Sequence, residues 1–132
     1  MDTAIPLSDD QGRALLDGCR CTRQFLSLAQ QFQYQENLAY CGVATGCVVL
    51  NSLGCPAPAS DTHGEFRYFT QSNLLGPGTE PVKPQSEIRM SGMALSEFTQ
   101  IVMSHGPSAL AIYGSDLDED QLHATLSEHT SG

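Results

Sequence analysis

From Cys41 to Leu53 apolar residues fall on nearly every face of a helical projection, and Gly54 and Pro56 follow at once. That pattern predicts a buried helix with a sharp C-terminal stop. Upstream, Phe25, Leu28, Ala29 and Phe32 recur at i, i+3, i+4 and i+7, an apolar stripe that predicts a helix leading toward Gln35. Ser8 to Gln11 has the spacing of a capping box, so a short helix containing Ala14, Leu15 and Leu16 is expected, ended by Gly18. A third main helix is predicted from Gly92, with Leu95, Phe98, Val102 and His105 along its buried side. Pro107 to Tyr113, with Leu110 and Ile112, is the best strand candidate. Asp116 to Glu119 repeats a capping pattern before a last helix whose Leu122, Leu126 and His129 share a face. Between these elements, residues 54–61 and 76–81 are rich in turn formers, and Phe66, Tyr68 and Phe69 predict an aromatic knot. One strand for about four helices is an unusual balance, because a lone strand cannot pair its backbone.

Cys41 stands at the mouth of the apolar helix, with Gln35 six residues before it. A helix N-terminus offers unpaired N–H groups and partial positive charge, which favour a thiolate over a thiol and bind a developing oxyanion. The competing reading of a cysteine in an apolar helix is a buried structural thiol, and local pattern alone favours that reading. Cys47 fits core packing. Cys19 with Cys21, or Cys55 with His63, present soft ligands, but no pair has zinc-finger spacing and a structural role is the stronger expectation.

The 132 residues suit one domain or part of a larger one. Six Lys plus Arg against 15 Asp plus Glu, a net charge of -9 with scattered cations, argue against nucleic acid as a partner. No apolar run reaches the roughly 18 residues of a membrane span and the first ten residues lack a signal pattern, so no membrane partner and a cytoplasmic location are expected. The periplasm stays open should the start be incomplete. The odd count of five cysteines, without framework spacing, also favours a reducing compartment.

The segment Gln35-Glu-Asn-Leu-Ala-Tyr-Cys-Gly-Val-Ala44 resembles the Gln-x-x-x-Ala-(Tyr/Phe)-Cys-Gly-(Val/Leu)-Ala segment of the phytochelatin synthase family. Val49 to Gly54, Tyr68-Phe-Thr-Gln-Ser-Asn73, Gly92-Met-Ala-Leu-Ser-Glu97 and Ser104-His-Gly106 follow in the order and approximate spacing of its shorter, bacterial-type members. The resemblance implies an α+β, papain-like cysteine proteinase fold, with residues 1–132 the N-terminal part of a single catalytic domain: the mainly helical, nucleophile-bearing part, without most of the catalytic β-sheet. It implies a glutathione γ-glutamylcysteinyltransferase or a glutathione hydrolase, in heavy-metal detoxification, working through a cysteine thioester. By motif position Cys41 matches the nucleophile and Gln35 the oxyanion-hole donor, with Tyr40, Gly42, Thr70 and Gln71 as candidate substrate-binding residues. Glutathione is the implied partner; its two carboxylates call for a cation or N–H donors, and Arg67 and Arg89 are candidates. A homodimer and activation by Cd²⁺ or Zn²⁺ are left open, and no cofactor is required for the chemistry.

The departures carry as much information. The family's Gly-His-x-Ser-Pro segment, which holds the base, and the later Asp that orients it are not in this sequence. His129 imitates the segment but follows a helical pattern, and His105 and His123 lie in the wrong blocks. The chain is therefore expected to be incomplete and inactive alone. The alternative is a non-catalytic short form acting as a thiol or metal-binding or interaction module. Ala94 stands where the family usually has threonine, removing a helix cap, and Leu74-Leu-Gly76 replaces the paired cysteines of plant and fungal members.

Overall fold

The computed structural model describes residues 3–59 and 63–130. Six helices follow in order: α1 Asp10–Gly18, α2 Phe25–Ala29, α3 Cys41–Ser52, α4 Gln85–Ser91, α5 Leu95–Ser104 and α6 Glu119–Thr130. A short 3-10 turn, Gly114–Asp116, precedes α6. Among the described residues none lies in a β-strand, so the chain is mainly helical. Two compact units are present, one built from the described residues of Met1–Leu26 and Gly114–Gly132, the other from Ser27–Tyr113.

The Ser27–Tyr113 unit owns the hydrophobic core. Val43, Cys47 and Leu50 of α3 pack with Ile88 of α4, Ile101 and Val102 of α5, and Phe69, Leu74 and Leu75 of the connecting segments. α3 ends as its sequence requires. Gly54 takes a φ of 67°, its N–H donates to Asn51 O at 3.0 Å, and the Cys55 N–H donates to Leu50 O at 3.0 Å. Those paired bonds form a Schellman motif, which satisfies carbonyls the helix would otherwise leave open. Burial pushes the Cys47 thiol up from an ordinary 9.0 to about 12, and the Glu36 carboxylate adds to the shift. At neutral pH Cys47 is a packed thiol and nothing more.

Several sequence expectations change. The stripe from Phe25 to Phe32 gives a helix of only five residues, because α2 stops at Ala29 and Phe32 is 65% exposed. The cause lies elsewhere in the chain. Gln33 Nε2 donates to Phe69 O at 3.1 Å and Gln71 bonds the backbone at Tyr34 and Glu36, which holds the segment out of helical register. The strand expected over Pro107 to Tyr113 does not form, since no partner strand is available among the described residues, and Leu110 is left 83% exposed. The aromatic knot reduces to one residue: Phe69 is fully buried, whereas Phe66 is 80% exposed and Tyr68 pairs at the surface with His63, ring centroids 4.3 Å apart.

Gly92 also takes a different part. It caps α4 with a φ of 70°, where a Cβ would sit 3.3 Å from Ala39 O, and α5 starts three residues later behind Ala94. The Ala94 N–H donates to Glu97 Oε2 at 2.7 Å, which with Lys83 nearby holds the Glu97 carboxyl below its ordinary value. Only half a capping box exists, because a methyl group cannot accept the reciprocal bond from the Glu97 N–H. Ala94→Thr supplies that acceptor, and the expected outcome is a gain of about 1 kcal/mol in denaturant unfolding with no change in chemistry. An unchanged midpoint would show the backbone at Ala94 unfit for a cap.

In the other unit α1 begins at Asp10 with Asp9 at the cap position, one residue beyond the expected Ser8. α6 is capped by a box shifted from the expected one: Gln121 N–H donates to Asp118 Oδ1 at 2.8 Å, and Asp118 N–H donates to Gln121 Oε1 at 2.9 Å. Leu122 and Leu126 on the predicted apolar face are exposed in this structure. Among the described residues no helix is long and apolar enough to cross a membrane.

Candidate active site

Cys41 is the first residue of α3 and is exposed, while Val43, Ala44 and Cys47 behind it are buried. The Tyr40 side chain provides no cap for the helix, and no acidic residue lies in the first turn. The first-turn N–H groups therefore meet no side-chain acceptor from the cap position and no acidic side chain of the turn itself. Gly42 allows close packing here, since a Cβ at that position would sit 2.9 Å from Met93 Cγ and Sδ.

A cleft of about 400 Å³ opens beside Cys41. One wall is Phe32 to Gln35, and the other is the α3 face Cys41, Ala44, Thr45 and Val48. Those four helix positions are i, i+3, i+4 and i+7 from Cys41, so Thr45 and Val48 were open to prediction from helical spacing once Cys41 had been chosen. No lining residue carries a formal charge. Gln35 shares the cleft with Cys41, and its Nε2 donates to Asn37 O at 2.7 Å. An amide nitrogen has two hydrogens, so this bond orients the group and leaves one donor to spend.

The other candidates divide. Tyr40 is buried in the core and, with Gly42, supports the start of α3 instead of lining the cleft. Thr70 and Gln71 line a neighbouring cleft of about 610 Å³ that shares Phe32 and Gln33 with the first. Gln71 is only 4% exposed, its Oε1 accepting from Glu36 N–H and its Nε2 donating to Tyr34 O, each at 2.8 Å. Thr70 Oγ1 lies 2.9 Å from Ser72 Oγ. Arg67 and Arg89 are exposed and line neither cleft.

Sequence reading missed the amide groups that tie this site together. Asn51, on the last turn of α3, accepts the Phe69 N–H at 2.7 Å and donates to Phe69 O at 2.9 Å. Asparagine in a helix gives no hint of such a cross-chain clamp, because its partner is backbone and leaves no residue-type pattern.

No histidine lines the Cys41 cleft. His105 Nε2 lies 2.9 Å from Leu74 O, with its ring edge-on to Phe69, and His63 Nδ1 lies 3.2 Å from Tyr68 Oη. His123 and His129 belong to α6 of the other unit. Among the described residues no three His, Cys, Asp or Glu side chains converge to hold a metal ion. Of the Cys55 and His63 pair, Cys55 packs against the core and His63 Nδ1 lies 3.2 Å from Tyr68 Oη.

The sequence profile of the family described as phytochelatin synthase matches residues 1–132. The glutathione gamma-glutamylcysteinyltransferase of Schizosaccharomyces pombe is 30% identical over 109 residues, 83% of this chain and 24% of that protein. Glutathione gamma-glutamylcysteinyltransferase 3 of Lotus japonicus is 26% identical over 121 residues, 82% of this chain and 24% of its own. The chain thus spans about a quarter of the length of the curated relatives it matches. With a family match over its whole length and the Gln35 to Ala44 motif folded around an exposed thiol, the chain belongs to the phytochelatin synthase family.

Proposed function

We propose that this chain supplies the nucleophile and an oxyanion donor for transfer of the γ-glutamylcysteinyl group of glutathione, within a papain-like catalytic domain. The observation that carries the reading is Cys41 exposed at the start of α3, in one cleft with Gln35. The named relatives are glutathione gamma-glutamylcysteinyltransferases, which makes glutathione the substrate to test.

In the first step the Cys41 sulfur, as thiolate, attacks the carbonyl carbon between the cysteinyl and glycyl residues of glutathione. The carbonyl oxygen becomes negative, and the spare Gln35 Nε2–H faces it as a donor. Collapse breaks the C–N bond, glycine leaves as its nitrogen gains a proton, and a thioester remains on Cys41. Water then releases γ-glutamylcysteine, or the amine of a second glutathione takes the acyl group to give a longer peptide, and the thiol is restored. Heavy-metal detoxification is the setting this second outcome fits. The proton shuttle is assigned to no residue of the cleft, since none that lines it is a base of suitable kind.

Incubating the protein, expressed from its complete coding sequence, with glutathione is expected to release glycine and an equal amount of γ-glutamylcysteinyl product. Mass spectrometry of the small molecules reads both. Release of neither, or release of glutamate in place of glycine, would overturn the proposal.

A further inference from the structure

Gln35 lies on an exposed segment outside any helix, yet an oxyanion donor has to be held within a few tenths of an ångström to be useful. Something must fix its backbone. We propose that Gln71 is the positioning residue for Gln35, its side-chain amide standing in for a neighbouring strand. This role rests on the proposed role of Gln35 and on two bonds: Gln71 Nε2 donates to Tyr34 O, and Gln71 Oε1 accepts from Glu36 N–H, each at 2.8 Å. Tyr34 C=O belongs to the peptide group before Gln35 and Glu36 N–H to the one after it. One planar amide therefore brackets the whole main chain of Gln35, with the donor and acceptor pattern that a strand would present.

The clamp is itself anchored. Gln71 is 4% exposed, so its amide has little competition from water. It lies two residues after Phe69, whose backbone is bonded on both sides by Asn51 of α3 and whose carbonyl also accepts from Gln33 Nε2. Because Asn51 and Cys41 are on the same helix, the relay Asn51, Phe69, Gln71, Gln35 ties the donor to the helix that carries the nucleophile. The final adjustment is the Gln35 side chain on Asn37 O at 2.7 Å.

Gln71→Met removes both bonds at nearly constant shape, and Gln71→Glu keeps the acceptor for Glu36 N–H while losing the donor. Two readouts decide the matter, each with the thermal midpoint measured alongside. In NMR of the isotopically labelled protein, Gln71→Met is expected to increase solvent exchange of the Glu36 amide and shift the Gln35 side-chain amide signals, with Gln71→Glu intermediate. In glycine release from glutathione, Gln35→Ala is expected to lower kcat by about 10²-fold or more with little change in KM. Gln71→Met is expected to approach that loss, and the Gln35→Ala/Gln71→Met double variant to be no slower than Gln35→Ala. Unchanged Gln35 amide signals in Gln71→Met, or losses that multiply in the double variant, would overturn the positioning role. If Gln71→Met does not fold, Gln71→Glu carries the same two tests. A Cys41→Ala control separates the claims: wild-type and Cys41→Ala rates that coincide sink the proposed function, and the NMR readout still decides whether Gln71 holds Gln35.

Discussion

Cys41→Ala, in protein expressed from its complete coding sequence, is expected to lower glycine release from glutathione by at least about 10³-fold while the fold stays intact. The size follows from the absence of a substitute thiol in the cleft. Cys41 is the one cysteine among the cleft residues. Cys47 is fully buried with its thiol pushed up to about 12, so it stays protonated and unreachable at neutral pH. Cys55 is half-buried against the core. An alanine at an exposed helix start removes few contacts, so unfolding free energy should move by no more than about 0.5 kcal/mol. A large loss of rate with an unmoved thermal midpoint is then a chemical effect. Iodoacetamide provides an independent measurement: in the folded protein Cys41 is expected to be alkylated and Cys47 protected, and Cys47 labelling at the Cys41 rate would contradict the burial described above.

Phe69→Ala is expected to cost about 3–5 kcal/mol of stability, read from denaturant unfolding. The ring is fully buried among residues of α3, α4 and α5, and it meets the His105 ring edge-on at 4.8 Å. Truncation leaves a cavity that cannot collapse readily, because both backbone groups of Phe69 are fixed by Asn51. With domain stabilities of only about 5–15 kcal/mol, a change of that size takes a large share of the total. Phe66→Ala is the matched control. That ring is exposed, and its removal should move stability by less than about 0.5 kcal/mol. Equal losses for the two variants would show that the aromatic segment packs differently from the arrangement described here.

The sequence made some parts of this protein legible and hid others for physical reasons. α3 was readable from Cys41 to its stop because continuous burial, Gly54 and the Schellman bonds all act locally. α5 was readable as an element, but the stripe of Leu95, Phe98 and Val102 missed Ile101, which is buried, while Leu95 is not. α4 was invisible. It buries one side chain, Ile88, and a single apolar position makes no period. The stripe from Phe25 to Phe32 misled because side-chain amides from residues far along the chain outcompete helical bonds, and such pairs leave no trace in hydrophobic spacing. Pro107 to Tyr113 has the composition of a strand, but composition cannot supply a partner.

At the site, Cys41 and Gln35 were identified by resemblance, and the structure places both on one cleft. Gln71 was expected to bind substrate, and in the structure its polar atoms bond the backbone on either side of Gln35. Tyr40 and Gly42, beside Cys41 in the motif, were expected among the substrate-binding residues. A helix start turns successive residues about 100° apart, however, so Tyr40 points into the core while Cys41 faces the cleft.

In the proposed reaction Cys41 becomes covalently acylated by part of glutathione. Acid-quenching the protein during incubation with glutathione, then weighing the intact chain and its Cys41 peptide, tests it most directly. The expected result is an adduct on Cys41 with the mass of glutathione less glycine, cleaved by hydroxylamine and absent from Cys41→Ala. An adduct of whole glutathione released by reductant, or acylation of another cysteine with Cys41 unmodified, would contradict it.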